Sequence, residues 1–486
     1  VSNNSIFSSA RWTIATSIVR KLFTFGLFYF IARILTKDDL GLFREYSLIL
    51  TLGSIFFAFS LDHLLVVSKE KLESNFRSIF YLTVLGGLVG TIILFLTAPL
   101  LGNVYRSITL VALIRMTSAL LFLESIRRIL SALMQRELRL KALATFQTFN
   151  VVFYSVVTLI ALFIKPSVWV LVLGFYSGNV LEMILIAFNC RDLIRKYLKK
   201  ASINNSIPVL IRTNSHFIGF AWTNNILSNI SANAPILILG MVFPVAGLGA
   251  YYLANQVIII PVTIVTTALL QVFFPSFSRK DDKQIALHIR QFTDFVLIGI
   301  FPLLALYALF CYHYIPLIFG EKWLEASQLA LILSFTSAIS LLMNPLSGIP
   351  YTLHKPDWEL YWTIFSSVIK IGAVVYFARF GFVHAIIGFT GASVVSQLIF
   401  LFMIGRLLKI NQLSYWGSFI LKILPTIILA LILTLFYSFT KTYSPFIGVL
   451  LTMGYYLLVI KFSDYRILVI FGEIVRSRAG NRPQNS

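Results

Sequence analysis

Apolar residues fall along this chain in long blocks rather than in alternation with polar ones. The first block opens near Arg11 and runs to Leu35. Comparable blocks follow at 45–67, 78–101, 107–127, 142–164, 168–189, 211–242, 251–275, 291–319, 326–353, 358–379, 383–405, 417–440 and 444–462. A helix needs about 20 mostly apolar residues to cross a hydrocarbon layer about 30 Å thick. The pattern therefore predicts an all-α membrane protein of about 14 transmembrane helices. The first block has no small-residue cleavage site, so it reads as a membrane helix rather than a signal peptide. The longest segment between blocks runs from Cys190 to Leu210, too short for a catalytic domain.

The polar positions between blocks orient the chain. With the N-terminus placed in the cytoplasm, most of the 40 Lys and Arg residues fall in cytoplasmic segments. The opposite loops hold only Lys37, Arg44, Arg106, Lys165, Lys322, Arg379 and Lys441. Cytoplasmic loops of membrane proteins carry an excess of basic residues, so both termini are expected in the cytoplasm. A missed or extra span would invert every later loop and erase the asymmetry.

A weak internal repeat runs beneath this pattern. Leu40-Gly41 after the first span matches Leu248-Gly249 after the seventh, and Phe43 matches Tyr251. Spans one to six then correspond to spans seven to twelve. An even number of spans per unit gives parallel repeats, related by a pseudo-two-fold axis along the membrane normal. The expected organisation is an N-terminal six-helix lobe over 1–210, a C-terminal six-helix lobe over 211–410, two extra helices over 411–462 and a basic cytoplasmic tail over 463–486.

Composition agrees. The 486 residues are 58% hydrophobic and 12% charged, where globular chains carry roughly 25% charge. The net charge of +21 sits in short loops, so topology accounts for it better than nucleic acid does. Cys190 and Cys311 lack metal-ligand spacing. No metal or other cofactor is expected. There is no catalytic triad, no pair of loop carboxylates and no phosphate-cradling glycine loop.

Polar residues inside the spans are costly, so they usually face a bundle interior or a wet cavity. Thr13, Ser17, Arg20 and Thr24 recur at helical spacing on one face, with Lys21 beside them. They read as a polar stripe against a cavity; the alternative is a later helix start with both cations snorkelling to the surface. Arg115 lies mid-span in the fourth helix, either an anion contact or a structural ion pair with Glu182 as a possible partner. Glu124 is better placed for Arg127 or Arg128. Lys370 sits in the middle of span eleven with the same two alternatives. Asn225, Asn229 and Asn233 repeat every four residues in span seven, a stripe suited either to a hydroxyl-rich solute or to interhelical hydrogen bonds. Pro261 and Pro275 in span eight form either a hinge or a tolerated kink. Asp294 opens span nine and is expected at the surface.

Several stretches together resemble one family. They are Arg33-Ile-Leu-Thr-Lys-Asp-Asp-Leu-Gly-Leu-Phe43; Leu248-Gly-Ala-Tyr-Tyr-Leu-Ala-Asn-Gln-Val257, followed by Pro261 and Val272-Phe-Phe-Pro-Ser-Phe-Ser-Arg279; and Phe319-Gly-Glu-Lys-Trp-Leu-Glu-Ala326. Their order resembles the O-antigen and polysaccharide flippases of the multidrug/oligosaccharidyl-lipid/polysaccharide superfamily. The resemblance covers essentially the whole chain, through short and permissive motifs. It implies two six-helix lobes in a V around a central cavity, working by alternating access in the bacterial inner membrane. The implied cargo is a polyprenyl-diphosphate-linked oligosaccharide, moved from the cytoplasmic to the periplasmic leaflet. Polysaccharide polymerase and chain-length machinery are implied partners, and Na⁺ or H⁺ coupling stays open. Family members often carry an Asp near the end of span seven; this chain reads Asn233-Ala-Pro235, which puts cation coupling through that helix in doubt.

The residues fit such a cargo. Arg20, Lys21, Arg115 and Lys370 would meet an anionic diphosphate, span seven would offer sugars a polar path, and the polyprenyl tail would stay in lipid. A cation-coupled multidrug exporter of the same superfamily is the competing expectation, but it needs an intramembrane carboxylate site, and cations outnumber acids at mid-membrane. A membrane polymerase or glycosyltransferase would need a larger outside loop. A passive scaffold would have little use for unpaired mid-membrane cations.

Overall fold

The computed structural model describes residues 3–67, 72–200, 207–277, 282–353, 357–440, 447 and 449–455. Among these residues the chain is helical, with no strand. The first half runs α1 (Asn3–Ile34), α2 (Lys37–Ala58), α3 (Leu61–Val67), α4 (Leu72–Val104), α5 (Ile108–Thr117), α6 (Ala119–Arg136), α7 (Leu140–Ile164) and α8 (Val168–Lys200). The second runs α9 (Ile207–Ala232), α10 (Ala234–Val242), α11 (Val245–Phe277), α12 (Asp282–Phe295), a π-helical turn (Val296–Ile300) and α13 (Phe301–Phe319). It continues with α14 (Leu324–Met343), α15 (Ile349–Thr352), α16 (Asp357–Ala378), α17 (Phe382–Leu407) and α18 (Gln412–Thr440).

Eleven described helices are long and apolar enough to cross a membrane. Two more spans form if the bent pairs α5–α6 and α9–α10 each count once, which makes 13. These match the first thirteen expected blocks. Of the fourteenth, at 444–462, only 447 and 449–455 lie within the described residues, and the tail at 463–486 lies outside them.

Both bends have local causes. Pro235 opens α10 and has no N–H to continue the ladder from α9, so the axis turns by 52° at Asn233. Between α5 and α6 the axis turns by 48°, and Thr91 on α4 donates to the Ser118 carbonyl at that break. Pro261, by contrast, lies inside the continuous helix α11. The side chain of Pro275 is outside the described residues.

The packing is uneven from end to end. Near the turns at 35–36, 105–107, 243–244 and 320–323, one apolar core draws on both halves: Leu35, Leu40, Leu113 and Val168 meet Leu239, Leu248, Phe319, Trp323 and Phe389. Toward the opposite end this core divides. One cluster, with Leu61, Phe76, Leu133 and Ile186, is drawn from the first half, with Ile218 of α9 packed against it. Another, with Ile289, Phe292, Leu342 and Ile404, belongs to the second. Because close side-chain packing is a main attraction between membrane helices, the halves are joined most firmly at the shared end, here called the closed end. Toward the other end they share no core and touch through α9, which lies against α2, α3 and α4. The turns at 137–139 and 408–411, which carry Arg139 and Lys409, mark the separated end.

At the closed end α2 crosses α11 through two glycines. A Cβ on Gly41 would overlap the Val245 carbonyl oxygen, and a Cβ on Gly249 would overlap that of Lys37. The contact is reciprocal, and it involves the same two glycines that align in the sequence repeat.

Candidate transport pathway

The first candidates lie where the halves part. Arg20 on α1 is half-buried; it donates to Gln147 Oε1 on α7 and, at 2.9 Å, to Ser17 Oγ. Neither acceptor is charged. Lys21 beside it is also half-buried and makes no ion pair among the described residues. Lys370 is half-buried on α16. Ser367, one turn earlier, donates to the Leu227 carbonyl of α9, which puts Lys370 on the helix flank that runs along α9. Arg115 is placed differently. It is exposed near the end of α5, with its guanidinium 5.5 Å from the ring of Phe95, which is itself exposed on α4.

The carboxylate considered for Arg115 is taken by another cation. Glu182 accepts from Arg127 at 3.0 Å and from Asn150, while Arg127 also holds Glu124 at 2.6 Å. Arg128 pairs with Asp62 at 2.7 Å. These three acids and two bases pair among themselves inside the first half, and Arg115 has no part in them. Asp294, expected at the surface, pairs with Lys422 and is largely covered.

The asparagine stripe is divided in its use. Asn225 donates across to Ser60 Oγ of the turn after α2 at 3.0 Å. Asn229 and Asn233 each donate to the carbonyl four residues back, Asn225 and Asn229 respectively, both at 2.9 Å. Asn233 also accepts from Arg44 at 2.7 Å. All three asparagines remain only half-buried. One turn toward the separated end, Trp222 stacks on Phe59 with centroids 5.7 Å apart and donates to the Phe56 carbonyl.

This geometry has sequence relatives. The model of the polysaccharide biosynthesis protein family matches residues 30–328. The chain belongs to this family. It is 24% identical over 434 residues to the lipopolysaccharide biosynthesis protein WzxC of Escherichia coli K12, covering 87% of this chain and 86% of that one. It is 22% identical over 440 residues to the teichuronic acid biosynthesis protein TuaB of Bacillus subtilis 168, covering 88% of each. In fold it is similar to the lipid II flippase MurJ in an inward closed conformation, with a TM-score of 0.74, 14% identity, and coverage of 95% of this chain and 100% of that one. An inward-facing multidrug resistance MATE transporter of the MOP superfamily is similar at a TM-score of 0.57 and 11% identity, covering 82% and 98%.

Two residues of this family member escaped sequence reasoning. Hydropathy drew span two from residue 45, which left Arg44 in an outside loop. The helix starts at Lys37, because Thr36 and Asp39 form a reciprocal capping box. That motif, Thr-x-x-Asp ahead of an apolar run, is readable in sequence. Arg44 is thereby carried into the bundle, where it meets Asn233 at the α9–α10 bend and lies 5.7 Å from the ring of Tyr252. Glu45 faces α10 at Gly240 and is buried, with one carboxylate oxygen unpartnered. Nearby, Tyr105 donates to the Leu237 carbonyl at 3.4 Å. Burial, with Glu45 close by, pushes its phenol up to about 12, so it stays a donor.

Chemically, the arrangement can hold an anion and a polyol. Half-buried cations without carboxylate partners favour negative groups. Amides offer donors and acceptors together. Among the described residues there is no metal-ligating cluster of His, Cys, Asp and Glu.

Proposed function

We propose that this protein is a transporter, not an enzyme: a flippase for polyprenyl-diphosphate-linked oligosaccharides in the bacterial inner membrane, working by alternating access between the leaflets. The carrying observation is the division of one shared core into two, in a chain that shares its fold with MurJ over nearly its full length. A cargo that is part sugar, part anion and part hydrocarbon suits a wedge between halves whose sides open to lipid. Arg20, Lys21 and Lys370 take the diphosphate as it enters the wedge, and Arg44 meets it at the closed end. The half-buried asparagines of α9 accompany the sugars. Arg115 contributes from the rim, where its exposed guanidinium meets lipid phosphates. In this scheme the separated, basic end faces the cytoplasm, the two halves are six-helix lobes related by a pseudo-two-fold axis, and Pro261 and Pro275 let α11 flex as they rock. An anion leaving a negative-inside cell gains about 2.3 kcal/mol per charge per 100 mV, so the membrane potential assists export whether or not Na⁺ or H⁺ is coupled. Polymerase and chain-length machinery would receive the cargo.

The test is translocation in proteoliposomes that carry a polyprenyl-diphosphate oligosaccharide in both leaflets. An impermeant sugar oxidant reports the outer fraction. Protein should raise that fraction above the half expected of static vesicles. A fraction that stays at half across several glycans, with a cationic dye moving down an imposed gradient instead, would replace this reading with that of a multidrug exporter.

A further inference from the structure

The last carbonyls of any helix lack partners within it and carry partial negative charge. At the closed end, two such helix ends, α1 and α13, meet across the seam between the halves, and each is capped by a cation from the other side. Arg33, in the last turn of α1, donates through Nε to the Ile318 carbonyl at 2.7 Å and through a terminal nitrogen to that of Leu317 at 3.1 Å. In return Lys322 donates to the carbonyls of Leu35 at 2.7 Å and Arg33 at 3.1 Å. Gly320, with φ +109°, makes the turn that brings Lys322 back toward α1.

Neither cation has a carboxylate partner among the described residues. That choice of acceptor matters. Charge-assisted bonds to carbonyls are strong while made. Most of these atoms lie at the exposed rim, however, so water can satisfy them once the ends part. A buried ion pair would weld the seam; this exchange holds it and lets go. The seam is also crossed by Trp323, which donates to the Ala32 carbonyl at 2.8 Å, by the Lys37–Glu325 pair at 2.8 Å, whose carboxylate is exposed, and by Arg44, which donates to Asn233 at 2.7 Å.

We propose that Arg33 and Lys322 form a latch that sets how often the closed end opens, acting on the conformational equilibrium and not on the cargo. The proposal rests on the alternating-access reading above. It is tested by a measurement that needs no cargo. Ala32 is fully buried beside the latch. An Ala32→Cys reporter, in protein whose Cys190 and Cys311 are replaced by alanine, is labelled with an impermeant maleimide applied from each side in turn. Removing both cations, as Arg33→Ala with Lys322→Ala, should raise labelling from one side by about tenfold or more, the loss of a few charge-assisted bonds. Arg33→Gln with Lys322→Gln keeps donors but no charge and should label at an intermediate rate; it carries the test if the alanine pair does not fold. Labelling unchanged in the folded variants overturns the latch. Labelling that rises in the variants, while protein with Arg33 and Lys322 intact moves no lipid-linked sugar, supports the latch and sinks the flippase reading instead.

Discussion

Arg20 and Arg127 are both half-buried cations of the first half, yet they are held in opposite ways. Arg127 is locked between Glu124 and Glu182, and the Glu182 side chain is only 3% exposed. Arg127→Ala strands that carboxylate, so the detergent-solubilised protein should lose about 3–5 kcal/mol of stability, seen as a lower unfolding midpoint with Glu182→Gln partly restoring it. Arg20 hydrogen-bonds only a neutral amide and a hydroxyl, with Glu182 acting on it at longer range. Arg20→Ala should leave the unfolding midpoint nearly unchanged while abolishing translocation, and Arg20→Lys should restore part of it. Normal translocation by the alanine variant would remove Arg20 from the pathway. The Glu124–Arg127 pair was legible in sequence, because it follows from spacing along one helix. The exposure of Arg115 and the capture of Glu182 were not, because they depend on which helix lies alongside.

At the scale of elements, helix starts and breaks decide which residues reach the interior. The capping box at Thr36 sets the start of α2, and Asp39 within it also accepts from the Val168 N–H, tying α2 to α8. Thr36→Ala should cost about 1 kcal/mol, and Asp39→Ala more, since it frees a buried donor on another helix; chemical denaturation of the two variants side by side checks the order. Hydropathy alone missed this start because Lys37, Asp38 and Asp39 look like loop. The α2–α11 crossing was foreshadowed by the paired Leu-Gly motifs, although their meaning as a contact point needed the structure. Gly41→Val or Gly249→Val should force that crossing apart, where a Cβ already overlaps backbone oxygen. Closed-end cysteines should then become accessible even with the latch cations intact. The bend at Asn233 was written in Pro235, but nothing in the sequence announced that Arg44 would meet it.

For the whole molecule, the order of the first thirteen spans was legible from block length, since lipid sets a minimum span. The division of the core was not, because it depends on how side chains from distant helices share space. If the shared and divided cores exchange roles during transport, distances at the two ends must move in opposite senses. Spin labels at Leu138 and Lys409 report the separated end, and labels at Lys165 and Phe380 the closed end. On adding lipid-linked oligosaccharide, the first pair should shorten in a fraction of molecules while the second lengthens in a similar fraction. Movement of one pair alone would argue for a flexible end rather than rocking halves.

The bonds that tie α1 to α13 have a consequence for how this family can change over time. Arg33 grips main-chain oxygens of Leu317 and Ile318, and Lys322 grips those of Leu35 and Arg33. Main-chain oxygens are the same whatever side chain they carry. Leu317, exposed over 69% of its surface, is therefore free to drift among relatives without loosening the grip, while the gripping cation is not. Correlated substitution, the usual trace of two residues in contact, should be silent for these four bonds, and should show instead where side chains pair directly across the seam, as Lys37 does with Glu325.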